Sequence, residues 1–224
     1  MAKIEQILQF LAVLIQTLNV IVTKIPVNVL QWWIEHPEDR QRFLLGLCKI
    51  PEEPTCLWHL DADGTIRFSV TSNGKTGEQW IAHFAARGIY LSSYAKSVLR
   101  SEKFKVTSGV VYNIAVIPGK FWATNDERRT KAIRKEGEGV RKWQKPEAEV
   151  GCLIRDLFTD EEIAKMVLTW IITMHEPIED SGGRPNLLGS DRRGGPRLFA
   201  YYDRPVDSWR ARNGFAFAVP ASIN

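Results

Sequence analysis

Beyond residue 50, proline and glycine cut this chain into short pieces, and that punctuation limits the folds open to it. Pro51 and Pro54 mark a linker, and Gly64, Gly88, Pro118-Gly119, Gly182-Gly183 and Gly194-Gly195 break the remainder of the chain. Proline cannot donate to a backbone ladder and glycine tolerates turn conformations, so each break ends an element. The pieces between carry two different periods. Residues 57–60 and 65–70 flank Asp61-Ala62-Asp63-Gly64 as two strand-like runs around a turn, which predicts a hairpin. Thr76 and Gln79 have capping-box spacing ahead of a helical stretch, and Gly88 stands where that helix needs a left-handed residue after its end. Residues 93–99 predict a second short helix, and residues 110–117 an apolar strand. Residues 149–157 are helical in pattern. Thr159 then caps a further helix, with Asp160, Glu161 and Glu162 in its positive first turn. Residues 168–174 read as a buried strand or the end of a buried helix. This mixture predicts the α+β class for residues 57–224.

The first fifty residues have a different character. Ile4, Ile7, Leu8, Leu11, Leu14, Ile15 and Leu18 recur at helical spacing, while Glu5, Gln6, Gln9, Gln16 and Asn19 interrupt the run. That pattern predicts an amphipathic helix ending near Lys24 ahead of Pro26, in preference to a transmembrane span or a secretory signal peptide. A short helix over 27–36 and a third from Pro37 to Leu47 complete an N-terminal helical region over 1–50. Its wide apolar faces suit packing on the chain's own main domain, with self-association into a homo-oligomer or contact with a membrane surface as alternatives. Without a signal peptide, cytoplasm and phage particle are both open as locations.

The chain has 224 residues, 44% of them hydrophobic, which is enough for one sizeable core. Thirty basic against 26 acidic residues give a net charge of +4, a mixed surface and not a polycation. The basic side chains concentrate in residues 125–145, where Arg128, Arg129, Lys131, Arg134, Lys135, Arg141, Lys142 and Lys145 are interleaved with Asp126, Glu127, Glu136 and Glu138. A solvated helix face accounts for this pattern. The alternative function is a nucleic-acid-binding accessory protein using a basic helix over 128–145, although interleaved acids weaken phosphate tracking. Cys48, Cys56 and Cys152 form neither a disulfide framework nor a metal knuckle, which suits a reducing compartment.

Catalytic chemistry finds little support. In His175-Glu176-Pro177 the position of a second zinc-binding histidine is Glu179, and Pro177 would break the helix that such a site needs. Glu176, Glu179 and Asp180 are close enough in sequence for acid–base work, but nothing selects a reaction. No nucleophile elbow or phosphate loop is present. The sequence therefore predicts a protein that is not an enzyme, with no cofactor, no metal and a structural role for His175.

The informative region is 186–219. It is rich in arginine and contains Phe199, Tyr201, Tyr202 and Trp209, followed by the apolar run Gly214-Phe215-Ala216-Phe217-Ala218-Val219. Arginine and aromatic side chains are enriched at binding hot spots. This stretch resembles the variable region of the target proteins of diversity-generating retroelements, which have a C-type-lectin-like fold. Arg192, Gly195, Arg197, Leu198, Ala200, Tyr202, Asp203, Pro205 and Trp209 resemble that family's constant frame, and residues 214–217 its closing strand. The segment around Gly194-Gly195-Pro196 is one residue shorter than the frame. The resemblance implies a lectin-like part over about 105–224 with a diversified surface at 190–213. It also implies that Ser190, Asp191, Arg193, Phe199, Tyr201, Arg204, Asp207, Arg210, Arg212 and Asn213 contact a protein or surface ligand. Leu198, Tyr202 and Trp209 would fix the backbone beneath, and Phe215 and Phe217, sharing a strand face, would be buried under the surface.

Overall fold

A computed structural model describes residues 57–204 and 207–220, together with residues 28, 31 and 34–37. In the N-terminal region Asn28, Gln31, Ile34 and Glu35 are helical, His36 is not, and Pro37 is helical again. The helix expected over 4–25, the remainder of the second and third helices, Cys48, Cys56 and Pro205 lie outside the described residues. The chain divides into two units, Met1–Thr55 and Cys56–Asn224.

In the second unit the hairpin forms where the turn signal stands. Strand β1 (His59–Leu60) runs antiparallel to β2 (Ile66–Asn73), and Asp63 closes the turn by accepting the Thr65 amide at 2.9 Å. Helix α1 (Gly77–Ala86) carries the complete Thr76–Gln79 capping box, and Gly88 comes after it at φ +67°. After β3 (Tyr90–Leu91), Ser92 caps α2 (Ser93–Leu99) by accepting the Ala95 amide. Strand β4 (Ser108–Pro118) leads into the charged segment, which holds the short helix α3 (Thr130–Arg134) and a π-helical turn (Lys135–Val140). Helix α4 (Glu149–Leu157) and the Thr159-capped α5 (Asp160–Lys165) precede β5 (Trp170–Thr173) and β6 (Ile178–Glu179). The chain then closes the sheet with β7 (Pro185–Asp191), β8 (Arg197–Tyr202) and β9 (Asn213–Val219). Residues 170–173 are thus strand and not helix.

The unit is α+β, with a mixed sheet in the order β1-β2-β4-β9-β5-β7-β8-β3 and β6 on β7. Parallel pairing occurs at β5–β9 and β3–β8, and the other pairs are antiparallel. Register assigns every strand residue to a face. One face carries Leu91, Leu198, Ile171, Leu188, Ala200, Val116 and Ala216, buried together with Trp80 and Phe84 of α1, Val98 of α2 and Ile154 of α4. The opposite face carries Ala115, Ile117, Ile172, Leu187, Phe215 and Phe217, joined by Ile133 and Trp143 from the charged segment.

The charged segment is not the continuous basic helix expected over 128–145, because its arginines have acceptors inside the fold. Buried Arg128 donates to the carbonyls of Trp122 and Trp209, and Arg134 to those of Met174 and His175. Arg141 binds Asp63 and Glu136 while its guanidinium lies 4.9 Å from the Trp143 ring centre. A straight helix would aim these side chains around its circumference. The broken segment aims them at carbonyls and carboxylates of the loops around the sheet. Its π-helical turn also brings Gly137 against Phe217, where a Cβ would lie 2.5 Å from a ring carbon.

Candidate ligand-binding surface

The site begins with strand register. Tyr90, Arg197, Asp191, Trp170 and Asn213 form one row across β3, β8, β7, β5 and β9, because each is the direct partner of the next. Direct partners share a sheet face. Along β8, Phe199 and Tyr201 fall on that same face, whereas Leu198 and Ala200 point to the helices. The result is a continuous aromatic layer. Tyr201 stacks between Trp170 (centroids 4.5 Å) and Phe199 (5.9 Å) and meets Trp209 edge-on at 6.1 Å; Tyr90 lies 5.7 Å from Phe199. Gly189 makes this possible. Paired with Phe199, it has no side chain, and a Cβ there would come within 2.8 Å of both the Tyr201 ring and Ile172.

Arginines cover the aromatic layer. The Arg193 guanidinium lies 4.0 Å from the Trp170 ring centre and Arg197 4.9 Å from Phe199, while at the end of β8, outside the layer, Arg204 lies 4.9 Å from Tyr202. Two of them are anchored from below by Asp191, whose carboxylate is fully buried. It accepts from the Arg193 amide at 2.8 Å, from the Arg193 guanidinium at 3.3 Å and from Arg197 at 2.9 Å. The Tyr201 hydroxyl approaches the same carboxylate, and burial holds it protonated far beyond its ordinary range.

The loop after β8 stands beside this layer, tied to the charged segment. Thr130 donates its hydroxyl hydrogen to Asp203 and accepts the Trp209 indole N–H at 3.0 Å, while Arg129 and Ser208 form an isolated bridge. Between loop and sheet opens a cleft of about 350 Å³ walled by Trp170, Tyr201, Tyr202 and Trp209, with Arg204, Asp207, Ser208 and Arg210 at its polar side.

Of the residues expected to contact a ligand, Arg193, Arg204, Asp207, Arg210 and Arg212 are exposed, and Phe199 and Tyr201 are half-buried on the aromatic layer. Ser190, Asp191 and Asn213 are corrections, since all three are buried. Ser190 is partnered by Ile171 and Leu198 and so shares their helix-covered face. Asp191 and Asn213 are on the open face but roofed, the first by its two arginines and the second by the turn whose Arg210 amide its side-chain oxygen accepts at 2.9 Å. Tyr202, expected in the frame, is 39% exposed at the end of β8, where alternation no longer forces burial. Trp209 does support the surface, packing on Phe215 at 6.0 Å, and both Phe215 and Phe217 are fully buried beneath it. Trp170 and Tyr90 escaped sequence reading. Trp170 sat in a run that reads only as buried, and Tyr90 reaches the site through the non-local β3–β8 pairing.

The other candidates for chemistry are engaged by partners within the fold. His175 is buried; Nδ1–H donates to the Glu176 carbonyl at 2.6 Å and Nε2 accepts the Leu188 amide at 2.9 Å, while burial lowers its pKa to about 4. Asp180 accepts from the Gly182 and Arg184 amides and from Asn186, closing a turn, and Glu176 pairs with Lys145 on the surface. Cys152 is buried on α4, where loss of hydration pushes its thiol pKa up. Among the described residues no helix is long and apolar enough to cross a membrane, and no three metal-ligating side chains converge. Comparison with protein-family models, curated proteins and solved structures finds no match to this chain.

Proposed function

We propose that this protein is a ligand-binding protein whose contact surface is the arginine-covered aromatic layer of β7, β8 and the 203–212 loop. The observation that carries this reading is the half-buried Trp170–Tyr201–Phe199 stack, covered by no helix among the described residues and overlaid by Arg193 and Arg197. Rigid aromatic anchors ringed by adaptable polar groups are the usual composition of a paratope. In this reading the sheet is a C-type-lectin-like scaffold, and the chain is a target of a diversity-generating retroelement. Arg193, Phe199, Tyr201, Arg204, Asp207, Arg210 and Arg212 are its variable positions. Ser190, Asp191 and Asn213 leave the contact set and become supports.

Two observations test this. A near-copy of the coding segment for 190–213 beside a reverse-transcriptase gene, differing at codons of the exposed positions, supports diversification; sister sequences varying at Leu198, Ala200 or Phe217 instead would refute it. Combined replacement of Arg204, Asp207, Arg210 and Arg212 by Ser should abolish capture of the ligand by a protein that still unfolds cooperatively.

A further inference from the structure

The polar atoms around the cleft are unevenly supplied with partners, and the imbalance has one sign. Arg210 lines the cleft with no hydrogen-bond or ion-pair partner for its guanidinium among the described residues. Behind the cleft wall, the Trp170 indole N–H and the side-chain N–H of its strand partner Asn213 are buried and have no acceptor among the described residues. All three are donors. The one carboxylate lining the cleft, Asp207, lies 3.7 Å from Arg204, which leaves one uncompensated positive charge. The remaining walls are aromatic faces, and a space of about 350 Å³ takes a single ring with a short substituent.

We propose that this cleft binds a carboxylate carried on a ring-faced group, the ring lying between the aromatic walls of the cleft and the carboxylate meeting the Arg210 fork. The inference rests on the ligand-binding reading above and names the ligand's chemical class. A planar carboxylate matches the two-pronged guanidinium. One uncompensated charge suits a monoanion better than a phosphate monoester. The ring can come from an aromatic acid or from an acidic sugar.

The test uses the full-length ¹⁵N-labelled protein and its indole N–H resonances, with Trp170 and Trp209 assigned by single Trp→Phe variants and the Asn213 side-chain amide as a second probe. Phenylacetate is compared with 2-phenylethanol, and glucuronate with glucose. The expected result is that at least one acid shifts these resonances and binds about tenfold or more tighter than its neutral analogue. Arg210→Gln, an exposed substitution, should remove that difference while leaving the rest of the spectrum in place. The tighter acid identifies the source of the ring. Equal binding of acid and neutral analogue, no shift by either acid, or tighter binding of AMP than of both acids would overturn the proposal. Failure here with an intact outcome for the four-residue replacement would refute the carboxylate and leave the binding surface standing.

Discussion

His175 and Asp191 show how single buried polar residues are held in this fold. The depressed pKa of His175 means that the unfolded chain takes up a proton near pH 6.5, whereas the folded chain resists until about pH 4. Between those values the unfolded state holds more protons. The stability associated with neutral His175 is therefore complete above pH 6.5 and is lost as pH falls towards 4, by about 3 kcal/mol. Denaturant melts at pH 7 and pH 4.5 should show this loss, and a His175→Gln variant, which keeps an acceptor for the Leu188 amide, should show a smaller pH dependence. Asp191 has the opposite role, as a buried anion neutralised from above by Arg193 and Arg197. Asp191→Asn leaves two arginines without their anchor. It should cost about 1–3 kcal/mol, the range for leaving buried hydrogen-bonding groups without their partner, because the arginines left behind stay partly in contact with solvent, and loosen the Arg193–Trp170 stack, visible as altered tryptophan fluorescence.

At the level of elements, β9 is the support on which both the aromatic layer and the charged segment rest. Phe217 packs against Trp143 at 6.2 Å and under Gly137, and Phe215 against Trp122 at 5.7 Å and Trp209 at 6.0 Å. Phe217→Ala should cost about 3–5 kcal/mol in chemical denaturation. Gly137→Val should be damaging as well, because its side chain would occupy the space of the Phe217 ring. The loop over the cleft should behave in the contrary way. Arg204, Asp207, Arg210 and Arg212 are exposed, so replacing all four by Ser should move the midpoint by no more than surface substitutions usually do, about 0.5 kcal/mol each. Leu198→Asn, on the helix-covered face, should unfold the domain in the same assay.

For the molecule as a whole, the placement of charge bears on the nucleic-acid alternative. A nucleic-acid track needs lysines and arginines free to replace counterions, yet Arg128, Arg134 and Arg141 of the charged segment are engaged by carbonyls and carboxylates of the fold. Binding of a random-sequence oligonucleotide should accordingly be weak at 150 mM salt, and Arg134→Gln should lower thermal stability without changing it. A shift in oligonucleotide affinity with unchanged stability would return the basic segment to candidacy.

Local chemistry was legible wherever a residue's neighbours in sequence decide its state. The Thr76–Gln79 capping box, the Asp61–Gly64 turn, the Thr159 cap and the burial of Phe215 and Phe217 depend on contacts within a few residues or on strand alternation, and the sequence by itself determined them. The contact set required more. Ser190, Asp191 and Asn213 stand within three residues of exposed arginines in sequence, but strand pairing and the groups that roof the open face decided their burial. The same holds for the charged segment, where a helical pattern of arginines gave way to acceptors supplied by the residues after β5, the hairpin turn and the loops before α3 and after β8. Trp170, Tyr90 and Gly189 entered the surface through pairings between strands distant in sequence. Short-range hydrogen bonds and side-chain period are written along the chain; which faces meet, and which donors find acceptors, is decided only when the sheet closes.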